Sequence, residues 1–291
     1  MSSSPPGTIR LGLVGEGILA SRTPAMHVAE ARAQGIECTY DIIDLDSFAD
    51  RAQALPRILD DCERRGFRGL NVTHPCKRSV LGLLDELSAE ARALGAVNTV
   101  LFEGGRRIGH NTDWSGFAES VRRGLPRARL RNIVQLGAGG AGAAVAYAAL
   151  SLGTNRIEIF DAEPSRAQDL ASRLCRVFAP ERIAAVRDLT RAMAAADGLI
   201  HATPTGMDKY PGLPLPSDLL RAELWVAEIV YLPLETELLR VARALGCRVI
   251  SGRWMAVFQA AQAFELFTGI APDTDRMAHS FDSAVSDPRY A

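Results

Sequence analysis

Two residue patterns in this 291-residue chain could do chemistry. The first is Gly137-Ala138-Gly139-Gly140-Ala141-Gly142, a G-x-G-x-x-G run that follows a strand pattern, Ile133–Leu136, and opens a helical stretch of small residues. Gly137 permits a tight turn, Gly139 lets backbone approach a pyrophosphate, and Gly142 allows close packing of helix on strand. Backbone N–H groups at the helix start would then face the phosphates. Asp161 ends the next strand pattern, RIEIFD, where a carboxylate accepts hydrogen bonds from ribose hydroxyls and repels a 2′-phosphate. The pattern favours NAD, with NADP second. Arg166, five residues on, reads as a cover for the adenine, a solvated helix charge or a phosphate contact.

The second pattern is a set of polar clusters at the ends of strand patterns: Ser21-Arg22-Thr23-Pro24, Asn71-Val72-Thr73-His74-Pro75-Cys76-Lys77, and Asn98-Thr99 with Asn111-Thr112-Asp113. Hydroxyls and carboxamides both donate and accept, which suits a small polyhydroxylated ligand. Any one of them alone reads as a cap or turn residue. Lys77 stands out for another reason. Of 33 basic residues only Lys77 and Lys209 are lysines. A composition that uses Arg wherever a plain positive charge suffices makes a retained amine notable, because an amine can give up its proton and a guanidinium cannot. Lys209, in the loop MDKYPG, reads as a solvated charge.

Positioning these groups requires a series of alternating elements. Strand patterns run over Ile9–Gly15, Cys38–Leu45 and Phe67–Thr73, with helices over Pro24–Gln34, Leu55–Arg65 and Leu81–Leu94. NTVLF and RRIGHN flank Glu103-Gly104-Gly105 as a hairpin. A second unit opens near Asp113 with a helix to Gly124. It continues through strands RNIVQLG, RIEIFD, Ala184–Val186, Gly198–Thr203, LWVAEIVY and CRVISG, with helices after the glycine run and over Pro164–Phe178. Trp254, Val257, Phe258, Ala261, Phe264 and Phe267 recur at helical spacing, which predicts an amphipathic helix in the tail. Alternation of this kind predicts an α/β fold.

Composition excludes several classes. Basic minus acidic residues is 33 − 34 = −1, so there is no electrostatic footprint for nucleic acid or an anionic membrane. Five cysteines, odd in number and without C-x-x-C, argue against a disulfide scaffold or zinc ribbon and for a reducing, cytoplasmic setting. MSSSPPGTIR reads as a short disordered lead rather than a signal peptide. The uncharged stretch Asn132–Asn155 has a glycine-rich middle and is not read as a membrane span. The histidines have no metal-site spacing, and H-E-x-x-H, G-x-S-x-G and Walker A patterns do not occur. No metal is expected.

N-V-T-x-P-x-K, G-A-V-N-T, G-x-N-T-D-x-x-G-F and G-A-G-G-A-G, in this order, resemble the shikimate dehydrogenase family, and the match covers Ser21 to about Gln259. S-R-T-P-A-M-H, strand-end Asp161 and Y-x-P-x-E-T-E-L-L from Tyr231 look most like its NAD-dependent quinate/shikimate branch. The resemblance implies an N-terminal α/β substrate domain (1–113), a Rossmann-type dinucleotide-binding domain (114–250) and a C-terminal helical segment (251–291) returning to the first domain. It implies reversible oxidation of a ring hydroxyl of quinate or shikimate, with hydride passing to NAD and Lys77 and Asp113 as a proton-transfer pair. Ser21, Thr23, Asn71, Thr73, Asn98, Tyr231 and Gln259 match substrate-holding positions, and Thr203, Pro204, Met207, Gly252 and Met255 match positions around the ribose and nicotinamide.

The chain also departs from the family pattern. Thr23 stands where biosynthetic members usually have Ser. Asp161-Ala162-Glu163 replaces Asn-Arg-Thr of NADP users, His201-Ala202-Thr203-Pro204 replaces the commoner Asn-Ala-Thr, and Cys76 replaces an aromatic residue. The competing expectations are an NADP-linked biosynthetic enzyme, an aminoshikimate dehydrogenase, and a non-catalytic metabolite sensor. The expected partner is a small molecule (quinate, shikimate or a dehydro-derivative), and a homodimer is the assembly to test.

Overall fold

The computed structural model describes residues 8–285 and resolves them into two compact units. The lead read from the first residues lies outside the described range. One unit comprises the chain up to Thr112 together with the residues from Ala260 onward; the other is Asp113–Gln259.

The first unit runs β1 (Ile9–Gly15), α1 (Thr23–Ala33), β2 (Cys38–Asp44), α2 (Arg51–Arg64), β3 (Gly69–Val72), α3 (Cys76–Ser79), β4 (Glu86–Leu87), α4 (Ala89–Leu94), β5 (Thr99–Glu103) and β6 (Arg106–His110). Its sheet has the order β2-β1-β3-β5-β6-β4. β1 pairs in parallel with β2 and β3, while β5 runs antiparallel to both β3 and β6. The central strands are apolar almost continuously because both their faces are covered: Leu11, Leu13, Val14, Leu70 and Val72 are buried. α2 starts a turn before the predicted Leu55, because the Asp50 carboxylate accepts the Gln53 N–H at 3.2 Å and caps it there.

The continuous helix predicted over Leu81–Leu94 does not form. Val80–Leu83 is a 3₁₀ turn, β4 pairs with β6, and α4 begins only where the Ser88 hydroxyl accepts the Ala91 N–H. Asp85 and Ser88 donate their N–H groups to Arg107 and Gly109, so the sheet edge recruits a stretch whose leucines read as helical. Leu81, Leu83, Leu84 and Leu87 still pack on the same core as α2.

The second unit contains α5 (Asp113–Gly124), β7 (Asn132–Leu136), α6 (Gly140–Ser151), β8 (Arg156–Phe160), α7 (Pro164–Leu174), β9 (Ile183–Ala185), α8 (Leu189–Ala194), β10 (Gly198–His201), β11 (Trp225–Glu228), α9 (Glu237–Ala244) and β12 (Arg248–Ile250). All its strands are parallel, in the order β12-β11-β10-β7-β8-β9. This is the doubly wound, Rossmann-type order, whose direction of winding reverses between β7 and β10. α8 and α9, unread in the sequence, start at Asp188 and Thr236, whose side chains accept the Arg191 and Leu239 N–H groups.

Two C-terminal helices close the chain, α10 (Gly252–Thr268) and α11 (Thr274–Val285). α10 begins in the second unit and ends in the first. It is not one-faced as predicted: Met255, Ala260 and Ala263 are buried along with Val257, Phe258, Ala261, Phe264 and Phe267. α11, within the segment 251–291 expected to be helical but not delimited there as a separate helix, is fastened to α1. Buried Glu30 accepts Arg276 Nε at 2.6 Å and Nη2 at 3.0 Å, and the Asp273 N–H at 2.9 Å. Among the described residues no helix is long and apolar enough to cross a membrane.

Candidate active site

In the first unit, the strand ends carry a continuous hydrogen-bonded array. The Tyr40 hydroxyl donates to Asn71 Oδ1 at 2.7 Å, and Asn71 Nδ2 donates to Thr99 Oγ1 at 3.2 Å. Thr99 Oγ1 donates to Asn98 Oδ1 at 3.1 Å, which also accepts the Thr112 N–H at 2.7 Å, while Asn98 Nδ2 donates to Thr112 Oγ1 at 2.9 Å. Asn71, Asn98, Thr99 and Thr112 are buried, so each carboxamide is held in one orientation. Burial raises the Tyr40 phenol well above its ordinary value, which keeps its proton available for Asn71. Tyr40 was not read from the sequence. Its signal was a lone aromatic in the second strand pattern, two residues from a cysteine and without a motif around it.

Ser21 and Thr23 lie at the start of α1, where Ser21 Oγ accepts the Thr23 N–H at 3.4 Å. The loop leading to them is tied to β2: the Asp44 carboxylate accepts from Gly17 at 3.0 Å, Ile18 at 2.8 Å and Asp46 at 3.0 Å. Burial alone would raise this carboxyl, but those backbone donors and Arg51 outweigh it and hold the group below its usual range. Thr73 follows β3, and its methyl packs where a side chain on Gly15 would stand. Lys77 is half-buried in the first turn of α3, beside buried Cys76, and its carbonyl accepts the Val97 N–H. In the first unit, then, Ser21 and Thr23 lie between β1 and α1, Asn71 lies in β3 with Thr73 and Lys77 after it, and Asn98 leads into β5. Burial, then the Glu16 charge, raises the Cys76 thiol.

Asp113, Tyr231 and Gln259 belong to the second unit. Asp113 is buried as the first residue of α5. Gln259 lies on α10 where it crosses α5: a side chain at Gly116 would stand 2.6 Å from the Gln259 nitrogen and 2.9 Å from the Met255 oxygen. Gly252 opens the same helix against the backbone of Ile229 and Val230, with Tyr231 exposed just beyond.

The glycine run sits at the carboxyl edge of β10-β7-β8. Gly137 has φ +97°, a conformation a side chain would strain, and a Cβ there would approach the Ala202 carbonyl to 2.5 Å. Its N–H is donated to the Phe160 carbonyl, while Ala202 donates to Leu136. A Cβ on Gly142 would collide with the Gly137 carbonyl, whereas Gly139 and Gly140 face open space. Close packing behind and room in front are what a pyrophosphate at the start of α6 requires. Gln135, a buried polar residue between the apolar Val134 and Leu136, donates through Nε2 to the carbonyls of both Gly137 and Gly142 at 2.8 Å. It went unread because one Gln in a strand pattern carries no spacing signal.

Asp161 lies one residue beyond β8. Its Oδ2 accepts the Ala138 N–H at 2.8 Å and its Oδ1 accepts the Glu163 N–H at 2.9 Å, so the carboxylate is fastened to the glycine run itself. Arg166 Nε is 2.7 Å from Glu163 Oε2 on the exposed face of α7. On the other side of the turn, Thr203 follows β10, with Pro204 and Met207 exposed after it. Thr203 Oγ1 lies 2.5 Å from His201 Nε2.

A parallel sheet of this order, with a glycine-rich turn at its switch point and an acidic residue at the next strand end, defines a dinucleotide-binding unit. Comparison with known proteins narrows the class. The shikimate dehydrogenase substrate binding domain matches residues 13–100, and the shikimate 5′-dehydrogenase C-terminal domain matches residues 252–280. Shikimate dehydrogenase (NADP+) of Streptomyces avermitilis is 55% identical over 269 residues, 92% of either chain. Quinate/shikimate dehydrogenase (NAD+) of Corynebacterium efficiens is 48% identical over 94% of this chain and 98% of its own. Quinate dehydrogenase from Corynebacterium glutamicum in complex with NAD superposes with a TM-score of 0.91 at 47% identity, over 95% of this chain and 99% of that one. The chain belongs to the shikimate dehydrogenase family, and is an oxidoreductase with a pyridine nucleotide cofactor and a small-molecule substrate.

Proposed function

We propose that this protein is an NAD-dependent dehydrogenase that reversibly oxidises a ring hydroxyl of quinate, shikimate or both to the 3-dehydro compound. The observation that carries the cofactor choice is Asp161: its carboxylate is anchored by two backbone N–H groups beside the phosphate-binding turn, where it meets a ribose hydroxyl as an acceptor and a 2′-phosphate as a like charge. Arg166, the nearest cation in sequence, is turned to Glu163. The bound nicotinamide supplies the hydride acceptor.

The remaining chemistry belongs to the chain. Asn71 and Asn98, with orientations fixed by Tyr40, Thr99 and Thr112, hold hydroxyls of the ring. Ser21 and Thr23, at the start of α1, hold the substrate carboxylate, where the N–H groups of a helix start favour an anion. Lys77 and Asp113 form the proton-transfer pair: the oxidised hydroxyl yields its proton to this pair as hydride leaves the same carbon. Thr73, Tyr231 and Gln259 complete the substrate contacts, and Thr203, Pro204, Met207, Gly252 and Met255 line the ribose and nicotinamide positions.

The test is a matrix of kcat/KM for quinate and shikimate against NAD and NADP, repeated for Lys77→Ala. NAD should exceed NADP with both substrates, and Lys77→Ala should lose nearly all turnover while substrate binding falls much less. Preference for NADP in the unmodified protein would remove the cofactor assignment. Retained turnover in the variant would remove Lys77 from the chemistry. Binding of quinate without reduction of either nucleotide would make the protein a metabolite sensor.

A further inference from the structure

Behind Thr203 lies a buried polar group that the proposed reaction does not use. His201 closes β10, fully buried, and Glu228 closes β11, equally enclosed. An imidazole and a carboxylate are costly to bury unless their polar atoms are paired. Here they are. Glu228 Oε1 accepts His201 Nδ1 at 2.9 Å and the Val230 N–H at 2.9 Å; Oε2 accepts His201 Nδ1 at 3.0 Å and the Thr236 hydroxyl at 3.1 Å. Thr236 is itself fixed, since its oxygen caps α9 by accepting the Leu239 N–H. The carboxylate is therefore held from three sides, by β10, by the exit of β11 and by the start of α9.

A carboxylate only accepts, so the ring nitrogen facing it, Nδ1, carries a proton. The group opposite Nε2, 2.5 Å away, is the Thr203 hydroxyl, and in the singly protonated ring Nε2 offers it a lone pair. Thr203 must then donate to His201. Its oxygen also accepts the Thr205 N–H at 3.3 Å, which leaves a lone pair that points away from both. Thr203 is the partly exposed end of this chain of buried groups, and it stands beside the glycine turn: a Cβ on Gly137 would be 3.0 Å from its methyl.

We infer that His201, oriented by Glu228, is a positioning residue that holds the Thr203 hydroxyl as a hydrogen-bond acceptor toward the nucleotide. This rests on the reading of the β10-β7-β8 edge as the nucleotide site. An oxygen held in this way takes a hydroxyl or amide N–H of the ligand and gives nothing to a phosphate oxygen. The device is an imidazole analogue of the orienting pairs found behind catalytic side chains, in which a buried acceptor fixes the tautomer and the ring's second nitrogen fixes the working group. It also accounts for His at a position where a shorter carboxamide would meet Glu228 but would not reach Thr203.

The experiment is a double-mutant cycle on NAD affinity. His201→Asn keeps an N–H at the Nδ1 position for Glu228 and removes the contact to Thr203; Thr203→Val removes the hydroxyl at nearly constant volume. Kd for NAD, KM for NAD, kcat and Tm are measured for both variants and for the double variant. Each single variant should weaken NAD by about three- to tenfold, the range of one hydrogen bond. The double variant should be no weaker than either single one, because both remove the same contact; Tm is followed alongside, since Thr203→Val leaves Nε2 of buried His201 unpaired and lowers stability on its own account. Losses that multiply in the double variant, or Asn at 201 binding NAD as well as His while Val at 203 does not, would overturn the inference. The protonation state is checked without any substitution by nitrogen-15 NMR of the imidazole: Nδ1 should be protonated and Nε2 bare, and a proton on Nε2, with or without one on Nδ1, would equally overturn it. Unmodified protein that binds neither NAD nor NADP would instead remove the functional reading beneath it.

Discussion

Replacing Asp161 with Ala separates what the carboxylate does for any dinucleotide from what it does for NAD alone. Its bond to the Ala138 N–H, at 2.8 Å, steadies the glycine turn, and losing it costs NAD and NADP alike about 1 kcal/mol, roughly fivefold in affinity. The second loss falls on NAD only: a hydrogen bond from a ribose hydroxyl to a charged acceptor is worth about 1.5–3 kcal/mol, or roughly ten- to 150-fold. The third effect falls on NADP only. Two unit charges about 5 Å apart at a solvent-like dielectric repel by about 1 kcal/mol, and a phosphate ester carries about 1.5–2 charges, so the variant returns about 1–2 kcal/mol to NADP. NADP then breaks even while NAD loses both its terms. The kcat/KM ratio of NAD to NADP should fall by about a hundredfold or more, with most of the change in KM. Asp161→Asn, which keeps an acceptor for Ala138 but no charge, should lie between the two. Initial rates at saturating substrate with varied nucleotide measure this directly. Equal losses for the two cofactors in Asp161→Ala would mean that the carboxylate only braces the loop, and the argument for NAD would collapse.

Three further outcomes follow from other groups. His27 is fully buried against Tyr40, Phe264 and Phe267 with neither ring nitrogen hydrogen-bonded, and burial pushes it down to about 3. The unfolded chain takes up this proton below about pH 6.5 and the folded one does not, so stability falls as pH drops from about 6.5 towards 3, by about 1.4 kcal/mol per pH unit. His27→Leu should remove about 2–3 kcal/mol of the loss between pH 7 and 4.5 in urea melts; an unchanged loss would show that the ring is not held neutral. Gly142→Ala should lower Tm and weaken both nucleotides together, since its Cβ meets the Gly137 carbonyl and backbone must move at a cost of about 1–3 kcal/mol. Cys76 should resist aromatic disulfide reagents until the protein unfolds, because the thiol is buried and raised by that burial; loss of activity in step with its native-state labelling would contradict this.

The legibility of the chain divides along physical lines. Elements with a self-contained pattern were readable: β1 spans Ile9–Gly15 as expected, the hairpin turns at Glu103-Gly104-Gly105, and α6 follows the glycine run. The segment from Leu81 to Leu94 was not, because its leucines satisfy a helix and a short edge strand equally, and the choice is made by carbonyl acceptors on β6 some twenty residues further on. α11 fell within the C-terminal helical segment expected from the resemblance, but its own bounds were not legible for a related reason: its anchor, Glu30, lies some 240 residues away on α1. The same division holds among site residues. Asp161 could be singled out because strand-end acids follow a glycine turn at a fixed distance, whereas Gln135, Tyr40 and Glu228 contact another side chain or turn and need no fixed spacing.

That second category explains how the two units can present polar groups so differently. In the first unit the array from Tyr40 to Thr112 contains only neutral side chains, each both donor and acceptor, with Tyr40 held protonated by its burial. Such an array can turn toward a hydroxylated ring without carrying a charge into the interior, where an unpaired ion would be expensive. In the second unit, as at Asp44 in the first, carboxylates stand at strand ends and backbone N–H groups donate to them: Ala138 and Glu163 to Asp161, Val230 to Glu228. Backbone donors are fixed by the sheet before any ligand arrives, so these acceptors need no reorganisation on binding. Under the proposed function, a sugar hydroxyl meets the pre-oriented carboxylate of Asp161 in the one unit and a ring hydroxyl meets pre-oriented amides in the other. Substitutions that preserve polarity but loosen orientation, such as Asn98→Ser, should accordingly raise KM by about tenfold while leaving the fold intact, which steady-state kinetics together with a melting curve would resolve.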